Sequence, residues 1–268
     1  MGLEFCSIAS GSSGNSYMVR NDDTVLLVDA GVSGKRVLAG LESAEADFSD
    51  VQGIFLTHEH SDHVKSIKTV GRRSVHANVY GTYGTLQAVR DKLPEGRAQT
   101  IRNHDTVTVG GIRVTSFPIS HDASDPCAYT FESGGKKIAI MTDTGYVSID
   151  MFDHIKDADA LVLESNHEVE ILRSGPYPYP LKRRILSDLG HLSNDTAGEV
   201  LCGILKEVNE RKMPTVVLGH LSHQNNTPAQ ARLTVENALF EQGYYDGSQV
   251  RLMVASRSEP GPLISVGD

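Results

Sequence analysis

The densest chemistry in the chain lies in seven consecutive residues, Thr57-His58-Glu59-His60-Ser61-Asp62-His63, which follow an apolar run and precede a helical one. Imidazole and carboxylate are the usual protein ligands of zinc and similar divalent ions. His58 and His60 are two positions apart, so in extended chain their side chains point the same way. Asp62 and His63 fall at the start of the following helix, where Asp62 suits the first turn. Four ligand-type side chains within six residues exceed what one tetrahedral ion needs once ligands from elsewhere arrive. They point to two ions side by side. The competing reading is a polar surface loop that happens to be rich in histidine.

Three further candidates each end a strand-like run. His121 follows IRVTSFPIS, Asp143 follows KKIAIMT, and His220 follows TVVLG. Taken singly, each is equally a cap or turn residue; with the first motif they complete a set of seven. The elements that must position them are read from apolar patterning. Strands are expected at Leu3–Ile8, Ser16–Arg20, Thr24–Asp29, Val51–Thr57 and Val75–Tyr80. Two hairpins follow, 106–109 with 112–117 and 128–132 with 137–141, and later strands at 159–164, 215–218 and 250–254. Helices are expected at Lys35–Ala46, from Val64 to Val70, at Thr82–Lys92, Asn194–Arg211 and Pro228–Gln242. The run Pro176-Tyr177-Pro178-Tyr179-Pro180 reads as a surface loop. Strands clustered first, then strand–helix alternation, imply two sheets with helices packed outside.

Composition sets outer bounds. The 268 residues are 39% hydrophobic and 22% charged, which excludes a disordered or collagen-like chain. No apolar run approaches the roughly 18 residues of a membrane span, and the first residues carry no basic, apolar leader pattern. Cys6, Cys127 and Cys202 form no CxxC pair and no framework of disulfides. A reducing cytoplasm is the expected location, with no membrane partner. The net charge of −9 argues against a surface that binds nucleic acid all over. The charge is nonetheless uneven: Val64–Arg90 holds Lys65, Lys68, Arg72, Arg73 and Arg90 with no acid, and Arg173–Arg184 holds Arg173, Lys182, Arg183 and Arg184 with none. Basic side chains flanking a metal site suit a polyanion, and Tyr177 and Tyr179 offer faces for base stacking. An ordinary solvated face is the plainer alternative.

The order VDAG, THEHSDH, His121, Asp143-Thr144-Gly145 and a late Gly219-His220 resembles the metallo-β-lactamase fold superfamily, from Asp29 to His220. That resemblance implies a single αββα domain over residues 1–268, of α+β class, with two β-sheets face to face and helices on the outer faces. It implies that His58, His60 and His121 hold one divalent ion, that Asp62, His63 and His220 hold another, and that Asp143 bridges them, with zinc or manganese the expected metals. Asp29 would orient the HxHxDH loop from behind the ligands. A water or hydroxide between two such ions becomes a nucleophile near neutral pH. Two Gly-His-Leu-Ser segments, at 190–193 and 219–222, echo phosphodiesterase branches such as the tRNA 3′-processing nucleases. By that likeness His191 stands beside the scissile phosphate, while Asp62 and Asp143 serve the chemistry as well as the metal. Only 77 positions separate Asp143 from His220, too few for the large clamp insertion of some nucleases. The segments SGSSGNS, ESNH, GPYPYPLKRRILSDLGHLSN and HLSHQNNTP are most similar to the bacterial WalJ/YycJ-type subfamily, which implies a metal-dependent 5′→3′ exonuclease with DNA as the favoured nucleic acid. Lys182, Arg183, Arg184, Asn15 and His167 are the expected substrate contacts, and Ser12 or Ser13 joins Asn15 in a loop that also reads as a plain turn. The competing function is a metallohydrolase of a small ester, thioester or lactone, which has no use for the basic segments. A non-enzymatic, sensory role would leave His191 without a task.

Overall fold

The computed structural model describes residues 2–207 and 213–266. In chain order the first strands are β1 (Leu3–Ala9), β2 (Ser16–Arg20), β3 (Val25–Val28), β4 (Val51–Phe55), β5 (Asn78–Gly81), β6 (Ala98–Thr100) and β7 (Thr106–Val109). They are followed by β8 (Ile112–Pro118), β9 (Cys127–Ser133), β10 (Lys136–Met141), β11 (Ala160–Glu164), β12 (Thr215–Gly219), β13 (Arg251–Val254) and β14 (Ile264–Val266). One mixed sheet runs β14-β1-β2-β3-β4-β5-β6 and the other β13-β12-β11-β10-β9-β8-β7. Two mixed sheets with helices bear out the expected αββα, α+β class. The chain divides into two compact units, Met1–Pro118 with Ala123–Ile138 and Ser256–Asp268, and Ile119–Asp122 with Ala139–Ala255.

The first unit is built on strand alternation. In β1 to β4, Cys6, Ile8, Met18, Val25, Leu27 and Ile54 join a buried cluster with Val37 and Leu41 of helix Gly34–Glu42 and Val70 of helix Ile67–Arg73. The alternate residues point to the opposite face. There Phe55 meets Tyr129 and Phe131 of β9 edge-on, at ring-centroid distances of 5.4 and 5.9 Å. The two sheets therefore face each other across an aromatic layer in this unit. β3 and β4 run parallel, Val28 opposite Phe55, so Asp29 and Thr57 leave the sheet at the same end.

The second unit alternates strand and helix. β11 and β12 are parallel, with Glu164 opposite Gly219, so Glu164 and His220 emerge together. Helices Asn194–Glu207 and Pro228–Glu241 are started by Ser193, whose Oγ accepts from Thr196 N–H at 3.1 Å, and by Thr227, which accepts from Gln230 N–H. The expected helix to Arg211 is described as far as Glu207, and its last positions lie outside the described residues. The Pro-Tyr run departs from expectation: Tyr179 and Pro180 open a helix, Tyr179–Ile185. Among the described residues no helix is long and apolar enough to cross a membrane.

Candidate metal centre

Three of the strand-end residues share an unusual backbone. Asp29, Asp143 and His220 lie at φ of 59°, 61° and 52°, a left-handed conformation that non-glycine residues seldom adopt. Such strain persists where surrounding contacts over-determine it, and it concentrates at functional sites.

In the first unit, Asp29 is fully buried and organises the His-rich loop. Its Oδ1 accepts from Thr57 N–H at 2.9 Å, and its Oδ2 accepts from Thr57 Oγ1 at 2.8 Å and from His63 Nδ1 at 2.7 Å. Since Thr57 Oγ1 donates to Asp29, it receives the Nδ1 proton of His58 at 3.0 Å. Both histidines are thereby assigned the Nδ1–H tautomer, which leaves Nε2 basic, the arrangement that a metal-ligating imidazole requires. His58 packs within 4.6 Å of the His60 ring and 4.1 Å of the His63 ring, and Asp62 Oδ2 lies 3.6 Å from His63 Nε2. The loop 11–15 closes over these residues. Asn15 is buried; its Oδ1 accepts from Gly11 N–H at 2.9 Å and its Nδ2 lies 3.0 Å from His63 Nε2. Gly31 is essential to the fit, because a Cβ there would stand 1.6 Å from the carbonyl oxygen of Asp62.

In the second unit the centre of the arrangement is a residue that strand patterning did not single out. Glu164, fully buried at the end of β11, accepts through Oε1 from His191 Nδ1 at 2.7 Å and His220 Nδ1 at 3.0 Å. Its Oε2 accepts from Thr144 N–H and Leu192 N–H at 3.0 and 3.1 Å. Burial by itself would raise the Glu164 carboxyl. The charge and hydrogen bond of His191, with the hydrogen bond of His220, outweigh it and hold the group well below the usual carboxylate range. Asp143, Glu164, His191 and His220 bring one ligand-type atom each to within 4.8 Å of one another. Asp143 Oδ1 lies 3.0 Å from His220 Nδ1 and 3.8 Å from His121 Nε2. His121 donates Nδ1–H to the Gly190 carbonyl at 3.2 Å, again leaving Nε2 basic. The donors fit a divalent metal: buried carboxylates, and four imidazoles (His58, His63, His121 and His220) whose Nδ1 atoms are engaged by protein oxygen.

The first unit thus gathers Asp29, His58, His60, Asp62, His63 and Asn15, and the second gathers His121, Asp143, His191 and His220 around Glu164. Residues 24–215 match the β-lactamase superfamily domain. Over 247 residues the chain is 42% identical to a protein named exodeoxyribonuclease YycJ of Bacillus anthracis, covering 91% of this chain and 92% of that one. It is 37% identical to exodeoxyribonuclease WalJ of Streptococcus pneumoniae serotype 2, covering 99% of each. The chain belongs to the metallo-β-lactamase-fold family of YycJ and WalJ. The fold is also that of the metallo-β-lactamase fold protein YhfI from Bacillus subtilis, with a TM-score of 0.73 over 99% of this chain and all of that one, at 17% identity.

The remaining expected residues of this metallo-β-lactamase-fold chain differ in their surroundings. His167 is 1% exposed, and neither ring nitrogen has a hydrogen-bond partner among the described residues. Burial lowers its pKa to about 4, so the ring is neutral. Lys182 donates to the Arg173 carbonyl at 2.7 Å, Arg183 is exposed, and Arg184 is gripped by Asp122. Tyr179 is 73% exposed. Of the first basic segment, Arg73 lies over the Phe48 ring at 4.4 Å, a structural use of its charge.

Proposed function

We propose that the chain is a dinuclear metal-dependent phosphodiesterase acting on nucleic acid in the cytoplasm, a 5′→3′ DNA exonuclease within one domain of this fold. In this reading His58, His60 and His121 hold one ion, Asp62, His63 and His220 hold a second, and Asp143 serves both. Zinc or manganese fits the mixed nitrogen and oxygen donors. When bound, such ions neutralise charge on phosphate oxygens and lower the pKa of a nearby water. The names and near-complete overlap of the YycJ and WalJ relatives support the substrate class.

The observation that carries the reading is the Glu164–His191 pair. His191 is an imidazole beyond the ligand set, pinned through Nδ1 to a buried carboxylate at 2.7 Å. A carboxylate at Nδ1 fixes the orientation of the ring. Nε2 then delivers a proton to the departing oxygen of a phosphodiester. A small ester with a good leaving group has less need of that proton. Asp29 and Thr57 hold His63 in its ligating tautomer. Lys182, Arg183, Asn15 and His167 are the substrate contacts in this reading, and Tyr177 and Tyr179 stack on bases.

Two variants test this. His60→Ala and Asp143→Asn are expected to abolish metal-dependent DNA cleavage while circular dichroism and the melting profile remain those of a folded chain. Cleavage that survives either change at wild-type rate overturns the assignment.

A further inference from the structure

The basic helix Tyr179–Ile185 is joined to the ligand loops more closely than a mere substrate contact requires. Arg184 Nε and one amino group each donate to a different carboxylate oxygen of Asp122, at 2.5 and 2.6 Å. This is the planar, two-bond fork that only arginine makes. Asp122 follows His121 directly, and its Oδ1 lies 3.6 Å from His121 Nε2. Beyond the helix the chain turns tightly, with Gly190 N–H donating to Ser187 O at 2.8 Å and His191 N–H to Ile185 O at 3.0 Å. That turn touches the ligand loops at three points. Gly190 O accepts from His121 Nδ1, and Asp188 O accepts from Ser120 Oγ at 2.7 Å. Gly145, two residues after Asp143, lies so close that an added Cβ would stand 2.3 Å from the Asp188 carbonyl.

We propose that Arg184 is a positioning residue for the metal ligand His121, and that the basic helix and its trailing turn are a brace for the ligand loops at 119–122 and 143–145. The loop is held by the fork on Asp122 and by the carbonyls of Gly190 and Asp188. A phosphate would have to displace a carboxylate that already matches the guanidinium geometry. On this helix Arg183, exposed and turned about 100° from Arg184, is left for contact with polyanion alongside Lys182. The inference rests on the proposed metal role of His121.

Metal affinity, read by competition with a chromogenic chelator, tests it without any nuclease assay. Arg184→Gln and Asp122→Asn are each expected to weaken zinc or manganese binding by about 10- to 100-fold, the usual cost of losing a group that orients a ligand. Arg184→Lys keeps the charge without the fork and is expected to fall between. The exchanged pair, Arg184→Asp with Asp122→Arg, is expected to recover part of the affinity. On an oligonucleotide, Arg184→Gln should lower kcat with KM and its salt dependence unchanged. Arg183→Gln should raise KM and reduce the salt slope by about 1, with metal affinity intact. Unchanged metal affinity in both Arg184→Gln and Asp122→Asn overturns the proposal, as does a raised KM with a flattened salt slope in Arg184→Gln. If the wild type cuts no nucleic acid, the chelator titration still decides the role of Arg184.

Discussion

Two buried acids, Asp29 and Glu164, each close an apolar strand and fix histidines by their Nδ1 atoms. Asp29 was legible in the sequence because VDAG belongs to an ordered pattern of motifs. Glu164 was not: in DALVLE it reads as the polar end of a strand, and its four donors come from segments distant in sequence. The clue was an acid ending a run of apolar residues with no basic neighbour to pair it. Glu164→Gln keeps the shape but removes the charge that holds His191 and His220. It is expected to reduce kcat/KM by about 10- to 100-fold with little change in KM, measured by steady-state kinetics on a labelled oligonucleotide. His167 gives a test with opposite signs for stability and function. Its two unpartnered buried nitrogens cost stability, so His167→Phe should leave the melting temperature unchanged or higher while kcat/KM falls. The folded pKa of about 4 lies below the ordinary value of 6.5. The unfolded chain therefore binds the proton first as pH falls, and stability is lost between pH 6.5 and 4. Denaturant melts of the metal-free protein should show that loss in the wild type, on the order of 3 kcal/mol at most, and a smaller one in His167→Phe.

At the scale of elements, long patterned strands and helices matched expectation within a few positions, and the departures have physical causes. The Pro-Tyr run reads as a loop because proline interrupts helices. Pro180, however, stands in the first turn, where its missing N–H has no intrahelical partner to lose. β6 and β14 went unread because each has three residues and no periodicity to detect, and β6 is exposed along its length. The turn after helix Tyr179–Ile185 has little room to spare. A Cβ at Gly190 would stand 2.1 Å from the Ile185 carbonyl and 2.4 Å from that of Arg184. Gly190→Ala should displace the Gly190 carbonyl from His121 and carry His191 with it. Overpacking of this kind costs about 1–3 kcal/mol, to be read from the melting temperature, and metal affinity should fall in the same variant. Normal stability with normal affinity would contradict the brace.

For the molecule as a whole, the net charge of −9 conceals two acid-free segments that hold nine of the 25 basic side chains. One follows the His-rich motif and the other precedes His191, so the acidic average describes the rest of the chain. The whole-chain pattern of motifs made the fold legible, because the order of His and Asp residues at strand ends reflects which strands lie together. Substrate polarity was not legible in the same way, since it depends on how a strand threads past the site. The nuclease reading implies a KM for single-stranded DNA that rises with salt, in proportion to the phosphate contacts made. A small-molecule hydrolase would show no such slope. The most direct measurement uses metal-free protein reconstituted with manganese or zinc on single-stranded DNA labelled at the 5′ or the 3′ end. The expected result is stepwise release of nucleotides from the 5′ end, abolished by chelator and restored by the ion. Failure to cut either substrate with either ion would contradict the account.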